Sequence, residues 1–477
     1  MINPAIIQGG MGVGISSWRL ARAVSGLGQL GVVSGTALDQ VFARRLQDGD
    51  PGGHMRHGLD HFPFREIAER VRSTYYIPGG KPEKASYRKL PVELGADMRP
   101  LWELCMAANF VEVFLAREGH DNPVGINYLE KIRIPHLPSI YGAMLAGVDY
   151  ILMGAGIPLK IPGILDHFAN HESAGYPLQV TGAGEGDDVT LTFAPRDYME
   201  CDLPALTRPR FLAIIASNVL ATTMLKKANG RVDGFIVEGP VAGGHNAPPR
   251  GKLQLDDAGE PVYGERDVVD LAKMRELGVP FWLAGGYATP EKLREALAAG
   301  AAGIQVGTAF AFCEESALRE DYKRALLENA VTGRARVFTD PLASPTGFPF
   351  KVAQLEGTLS DPEVYRERPR VCDLGYLREF IRTAEGGIDY RCPGEPLTTY
   401  VSKGGKEENA PGRKCLCNAL LANIGMAQVR SGKHVEPGLI TAGDDLAGIG
   451  RFLAPGQLSY HAADVVGTLM EGYTAIL

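Results

Sequence analysis

The sequence predicts an α/β chain folded as a closed (β/α)8 barrel of the TIM type. Three observations carry that expectation. Eight short apolar runs recur between residues 5 and 308, they lack the in–out alternation of a sheet with one wet face, and most are separated by helical stretches. Strands without alternation are buried on both faces, as parallel sheets are. Eight β/α units favour a barrel over an open doubly wound sheet. The open sheet stays as the alternative, because periodicity does not say which strands are neighbours.

The runs are Ala5–Gly10, Leu30–Gly35, Pro123–Asn127, Tyr150–Gly156, Phe211–Ser217, Gly234–Glu238, Pro280–Gly286 and Gly303–Thr308. Helices are expected over Trp18–Leu27, Ser139–Ala146, Val219–Ala228, Asp267–Leu277 and Pro290–Ala299. The last has the clearest start, a proline in the first turn behind a Thr289 cap. An insertion of roughly 40–122 separates the second and third strands and holds His54, His57 and His61. A metal site there lacks a completing carboxylate pattern, so a covering lid or an oligomer contact is the preferred reading. The stretch 170–208, Gly- and Asp-rich around Thr181 to Asp188, reads as a surface hairpin. A helix is expected over Glu314–Glu328. The barrel is assigned to 1–350. Residues 351–477, where Pro, Gly and charges become frequent, form a cysteine-containing subdomain that closes on the barrel and ends in a helix over Tyr460–Glu471.

Composition narrows the function. A net charge of -7 argues against a nucleic-acid binder and leaves no polybasic membrane patch. No uninterrupted apolar run reaches the roughly 18 residues of a membrane span; Phe211 to Leu225 comes nearest, and Ser217, Asn218, Thr222 and Thr223 interrupt it. Seven cysteines without a secretory leader make a disulfide scaffold improbable and a reduced, cytoplasmic protein the default.

Chemistry concentrates in the loops. After Phe235-Ile236-Val237 comes Glu238, then a loop of small residues, Ala242-Gly243-Gly244, that delivers His245. Imidazole titrates near neutral pH, and the C-terminal ends of parallel strands are where α/β proteins keep their chemistry. A histidine that only ties down a tight loop is the plainer reading. Gly285-Gly286 and Gly307-Thr308 follow the seventh and eighth strands, where backbone N–H groups and a helix start can hold a phosphate. Gln8 and Asn127 end the first and third strands. Amides both donate and accept, which suits the edge of a flat heterocycle, and Gly9 and Gly10 let such a ring lie against backbone.

Taken together, these segments resemble the nitronate monooxygenases, once called 2-nitropropane dioxygenases, and the related flavin-dependent enoyl-ACP reductases. The resemblance rests on Ile7 to Met11, Val124 to Asn127, Met153 to Gly156, Glu238 through Ala242 to His245, Ala284 to Gly286, and Gln305 to Thr308, in that order over about residues 4–350. It implies an FMN-binding barrel with the phosphate on Gly285, Gly286, Gly307 and Thr308. Ring and ribityl contacts would come from Gln8, Gly9, Gly10, Met11, Asn127 and Gln305, with Gly154, Ser217, Glu238, Gly243 and Gly244 completing the cofactor set. His245 falls on the family's active-site histidine, and Ser344 to Gly347 resembles the segment that returns toward the flavin. The implied reaction is oxidation of a nitronate or nitroalkane by O2 to a carbonyl compound and nitrite. The alternative is NAD(P)H-dependent reduction of an enoyl thioester; a non-catalytic barrel scaffold is a third reading. The long insertion and tail resemble the larger members of the superfamily, and the sequence leaves room for a homodimer. In the tail, Cys372, Cys392, Cys415 and Cys417 are metal-ligand candidates; they lack the compact Cys-x-x-Cys spacing of strong zinc or iron–sulfur sites, and small buried thiols are the plainer reading.

Overall fold

A computed structural model describes residues 3–90, 97–182, 184 and 189–474. Eight parallel strands form one sheet: β1 (Ile6–Gln8), β2 (Gly31–Ser34), β3 (Val124–Leu129), β4 (Tyr150–Gly154), β5 (Arg210–Ile215), β6 (Gly234–Glu238), β7 (Phe281–Ala284) and β8 (Gly303–Val306). Neighbours follow chain order, and β8 pairs with β1 in the register Ile6 to Ile304. The β1–β2 seam is closed by Gln8 N–H donating to Leu30 O at 2.9 Å and Leu30 N–H donating to Ile6 O at 3.1 Å. The sheet is therefore a barrel, and the open alternative is excluded.

Two cores result. The inside is filled by Ile7, Leu30, Val32, Tyr150, Leu152, Leu212, Ile236, Trp282 and Ala284. Trp282 is the largest side chain there, with its indole N–H donating to Pro4 O at 2.8 Å. Room for it comes from Gly234, where a Cβ would sit 3.2 Å from the Trp282 ring and 3.0 Å from Leu212. The second core lies between the strands and the outer helices.

The helix layer follows the sequence with local shifts. Ser217 caps Asn218–Lys227, and Thr289 caps Pro290–Ala298. The expected helix at Glu314–Glu328 instead runs over Glu320–Val331. Chain before it is held as a loop: Lys323 Nζ donates to the carbonyls of Cys313, Glu314 and Ser316, and Glu314 N–H donates to Tyr460 O. The helix Ala462–Thr474 packs between Pro290–Ala298 and Trp18–Gly26, the place a helix after β8 would take.

The 40–122 insertion is helical. Its helices His54–His61 and Arg65–Tyr75 bury Met55, Leu59, Ile67 and Val71 in the outer core, packed on the long helix Arg99–Arg117. None of its described residues lines the barrel mouth, so the lid reading is corrected. The three histidines do not converge on one point: His54 packs on Trp18, whereas His57 pairs with Glu118 at 2.6 Å and lies edge-on to His61, which stacks on Phe114. The 170–208 stretch contains the expected hairpin, Ala174–Leu178 with Val189–Phe193; its tip lies largely outside the described residues. Among the described residues, no helix is long and apolar enough to cross a membrane.

Candidate active site

A cavity opens at the C-terminal ends of the strands. The β1 turn supplies Gly9, Gly10 and Met11; Asn127 and Gly154 come from β3 and β4; Glu238 ends β6. Gly285, Gly286, Gln305, Gly307 and Thr308 line the same space from the β7 and β8 ends. The far wall comes from the tail, chiefly Tyr376, Leu377, Cys417 and the stretch Thr441 to Gly443.

The histidine loop is fixed from two sides. Gly244 and His245 pair antiparallel with Lys351 and Phe350 of the hairpin Val337–Asp340/Phe350–Ala353. Gly244 N–H also donates to Thr441 Oγ1 at 2.7 Å. Glycine is needed at 243 because a Cβ there would lie 2.8 Å from Gly443 N. His245 is half-buried on the cavity wall, its ring edge-on to Phe350 with centroids 4.8 Å apart. Nε2 is 2.7 Å from Ser344 Oγ, which is 2.8 Å from Thr346 Oγ1. If Nε2–H donates to Ser344, the serine proton passes to Thr346 and Nδ1 is the free base. Among the described residues Nδ1 has no hydrogen-bond partner. Burial, reinforced by the charge of Lys131, pushes the imidazole down to about 4, so it is neutral at physiological pH.

Two amide oxygens facing this space, Asn127 Oδ1 and Gln305 Oε1, are buried and have no hydrogen-bond partner. A buried acceptor left unmet costs about 1–3 kcal/mol, so a ligand with N–H donors fits here. The wall beside them is bare backbone: a Cβ at Gly10 would lie 2.5 Å from Asn127 Cβ, and one at Gly9 would lie 3.4 Å from Gln305 Cγ. This is a cradle for a flat, hydrogen-bonding ring, and a flavin fits it.

Residues 205–339, which carry β5 to β8 and the histidine loop, match the family described as Nitronate monooxygenase. Over this segment the chain is similar to the nitronate monooxygenases. A nitronate monooxygenase of Paraburkholderia phytofirmans is 35% identical over 177 residues, 37% of this chain and 45% of that protein. One of Pseudomonas aeruginosa is 30% identical over 159 residues, 32% of this chain and 41% of that protein. The matched length is thus under half of either relative. Among solved structures, FabK from Thermotoga maritima aligns over 100% of this chain and 94% of its own, at 16% identity and a TM-score of 0.49.

Within this barrel, most sequence-derived cofactor positions line the cavity, and two do not. Gln8 is fully buried; its Nε2 donates to Ser16 Oγ and Gly9 O, and its Oε1 accepts from Val32 N, so it supports the β1 turn from behind. Ser217 is spent as a helix cap, accepting from Leu220 N at 3.1 Å. Thr308 does line the cavity, but its hydroxyl accepts from Gly443 N at 2.9 Å. Sequence reasoning expected the tail to close on the barrel but missed which residues form the wall; the small-residue run Thr441-Ala442-Gly443 is the one local signal for them. Among the described residues, no group of three or more His, Cys, Asp or Glu is placed to hold a metal.

Glu238 faces the cavity without a cation beside it, and burial alone raises its carboxyl from 4.5 to about 7. The folded pKa lies above the unfolded one. The stability it allows is complete below pH 4.5 and is lost as pH rises toward 7. In the flavin-free protein this loss should be about 2 kcal/mol, after allowance for water in the cavity. Glu238→Gln should flatten that slope and leave the variant more stable than the parent near pH 8 by a similar amount. Urea unfolding across that pH range measures it, and equal slopes for the two proteins would refute it.

Proposed function

We propose that this chain is a flavin-dependent oxidoreductase that binds FMN at the barrel mouth and oxidises nitronates or nitroalkanes with O2 to a carbonyl compound and nitrite. The observation that carries the reading is a single cavity in which a neutral imidazole and two unmet amide oxygens share a glycine-lined wall. Bound FMN would supply the two-electron chemistry. The protein's part is binding, orientation and proton handling. Asn127 and Gln305 would accept hydrogen bonds from the ring, Gly9, Gly10 and Met11 would back it, and the N–H groups around Gly285, Gly286 and Gly307 would take the phosphate. His245, neutral and with Nδ1 open, would remove the α-proton of a nitroalkane; a nitronate arrives already deprotonated and bypasses that step. Tyr376, Leu377 and Cys417 would exclude bulk water.

Purified protein should be yellow, release FMN on denaturation, and form nitrite from propionate 3-nitronate under air. No nitrite, together with NAD(P)H-dependent loss of an enoyl thioester, would replace this reading with an enoyl reductase. Failure to bind any flavin would leave a non-catalytic scaffold.

A further inference from the structure

Three loops of the tail bring Cys372, Cys392 and Cys415 into one neighbourhood behind the cavity wall. Cys415 is buried, with Asn418 Nδ2 3.4 Å from its sulfur, and Asn418 Nδ2 also donates to Asp373 Oδ1 at 2.7 Å. Cys372 and Cys392 form the closer pair, thiol against thiol. Their surroundings are built in detail. Arg370 ties the two loops together, donating through Nε to Glu395 O at 3.0 Å and through Nη2 to Pro393 O. The Cys392 turn is closed by Glu395 N–H donating to Cys392 O at 2.9 Å, and Gly394 N lies 3.4 Å from Cys392 Sγ. Arg378 folds back over Gly375, where a Cβ would lie 2.4 Å from the guanidinium carbon, and its other face rests on the Tyr390 ring at 3.9 Å. So held, Arg378 Nε donates to Cys372 Sγ at 3.4 Å and Nη2 to Cys372 O at 3.1 Å. Cys372 is half-buried and Cys392 is buried.

We propose that Cys372 and Cys392 are a redox-active dithiol, in which Cys372 attacks a small hydroperoxide and Cys392 resolves the product to a disulfide. The Cys372 thiolate attacks the terminal oxygen; the O–O bond breaks, and the alcohol, or water from H2O2, leaves with a proton. Cys392 sulfur then attacks the Cys372 sulfenic acid, the S–O bond breaks and water leaves. Two thiols and one hydroperoxide become one disulfide, one alcohol and one water.

The asymmetry of the pair fits these roles. The Cys392 thiol facing Cys372 and then the Arg378 guanidinium hold Cys372 below the ordinary thiol range against its burial, and Cys392 is pushed well up. The Glu395 carboxylate and the Cys415 thiol oppose ionisation from the other sides. A low-pKa thiol beside a resolving one is the arrangement that hydroperoxides oxidise selectively. The disulfide would be felt at the cavity, because Tyr376 and Leu377 of its wall lie four and five residues after Cys372 and Tyr376 O–H donates to buried Asp39.

The test is thiol counting and peptide mapping on the full chain after one equivalent of H2O2. Two of the seven thiols should disappear, and a non-reduced digest should contain Cys372 joined to Cys392. Cys392→Ser should instead accumulate a dimedone-reactive sulfenic acid at Cys372. In the untreated protein, alkylation of Cys372 by iodoacetamide should be half-maximal clearly below the ordinary thiol range, and Arg378→Met should slow it about tenfold at pH 7. Oxidation confined to exposed Cys201, a different pairing, or an alkylation midpoint in the ordinary thiol range would overturn the proposal. So would equimolar zinc or iron copurifying with both thiols unreactive.

Discussion

Replacing His245 by alanine should leave flavin binding intact and lower nitronate or nitroalkane turnover by about 10²–10⁴-fold, the usual contribution of a positioned proton carrier. The ring's hydrogen bond and its aromatic contact run to Ser344 and Phe350, away from the Gly285-Gly286 and Gly307 turns in sequence. Its removal therefore changes proton handling more than binding. The effect should be largest with neutral nitroalkanes, which must lose a proton, and smaller with preformed nitronates. The imidazole is held to about 4 in the flavin-free protein, so the acid limb of the nitroalkane rate should lie well below the usual histidine range. Flavin absorbance and initial rates of nitrite formation measure both parts. A variant within tenfold of the parent on both substrates would remove His245 from the reaction.

The second large effect concerns stability. Glu436 has a fully buried side chain between two arginines: Oε1 accepts from Arg368 Nε at 2.5 Å and Oε2 from Arg430 Nη1 at 2.5 Å. Arg430 continues to Asp373 at 3.0 Å, one residue from Cys372. Arg368 is only 5% exposed. Glu436→Ala would leave its guanidinium buried without the carboxylate it donates to, which costs about 3–5 kcal/mol. The urea-unfolding midpoint should fall accordingly, and Glu436→Gln, which keeps the shape and one acceptor, should fall less. A midpoint unchanged by the alanine variant would show that the cluster is wetter than its burial implies.

The barrel was legible because its strands are buried on both faces. Runs such as Phe211-Leu212-Ala213-Ile214-Ile215 carry no alternation, and each stops at a glycine or polar turn. The cavity glycines were legible for a similar reason: Gly285 and Gly286 end a strand and adopt positive φ. Gln8 was misread because an amide at a strand end looks the same whether it faces the cavity or the seam behind it; the Ser16 and Val32 contacts that decide it are non-local or set by the turn. Ser217 carried a local cue, three residues before Leu220 and at the start of a helix, and capping outweighed the cofactor reading. The tail wall was illegible since Thr441 to Gly443 has no period of its own and is placed by Gly244, Thr308 and Val241. Cys372 and Cys392 meet only through folded loops, so no spacing rule finds them.

The wall of the barrel is completed by Ala462–Thr474, which wedges its Gly472 against Pro290 O so closely that a methyl there would lie 2.3 Å away. A nascent chain would thus emerge from the ribosome with all eight strands made and one flank still bare. Until residues 462–474 follow, the sides of Trp18–Gly26 and Pro290–Ala298 on which that helix packs stay uncovered, and such surfaces are what chaperones hold and aggregates recruit.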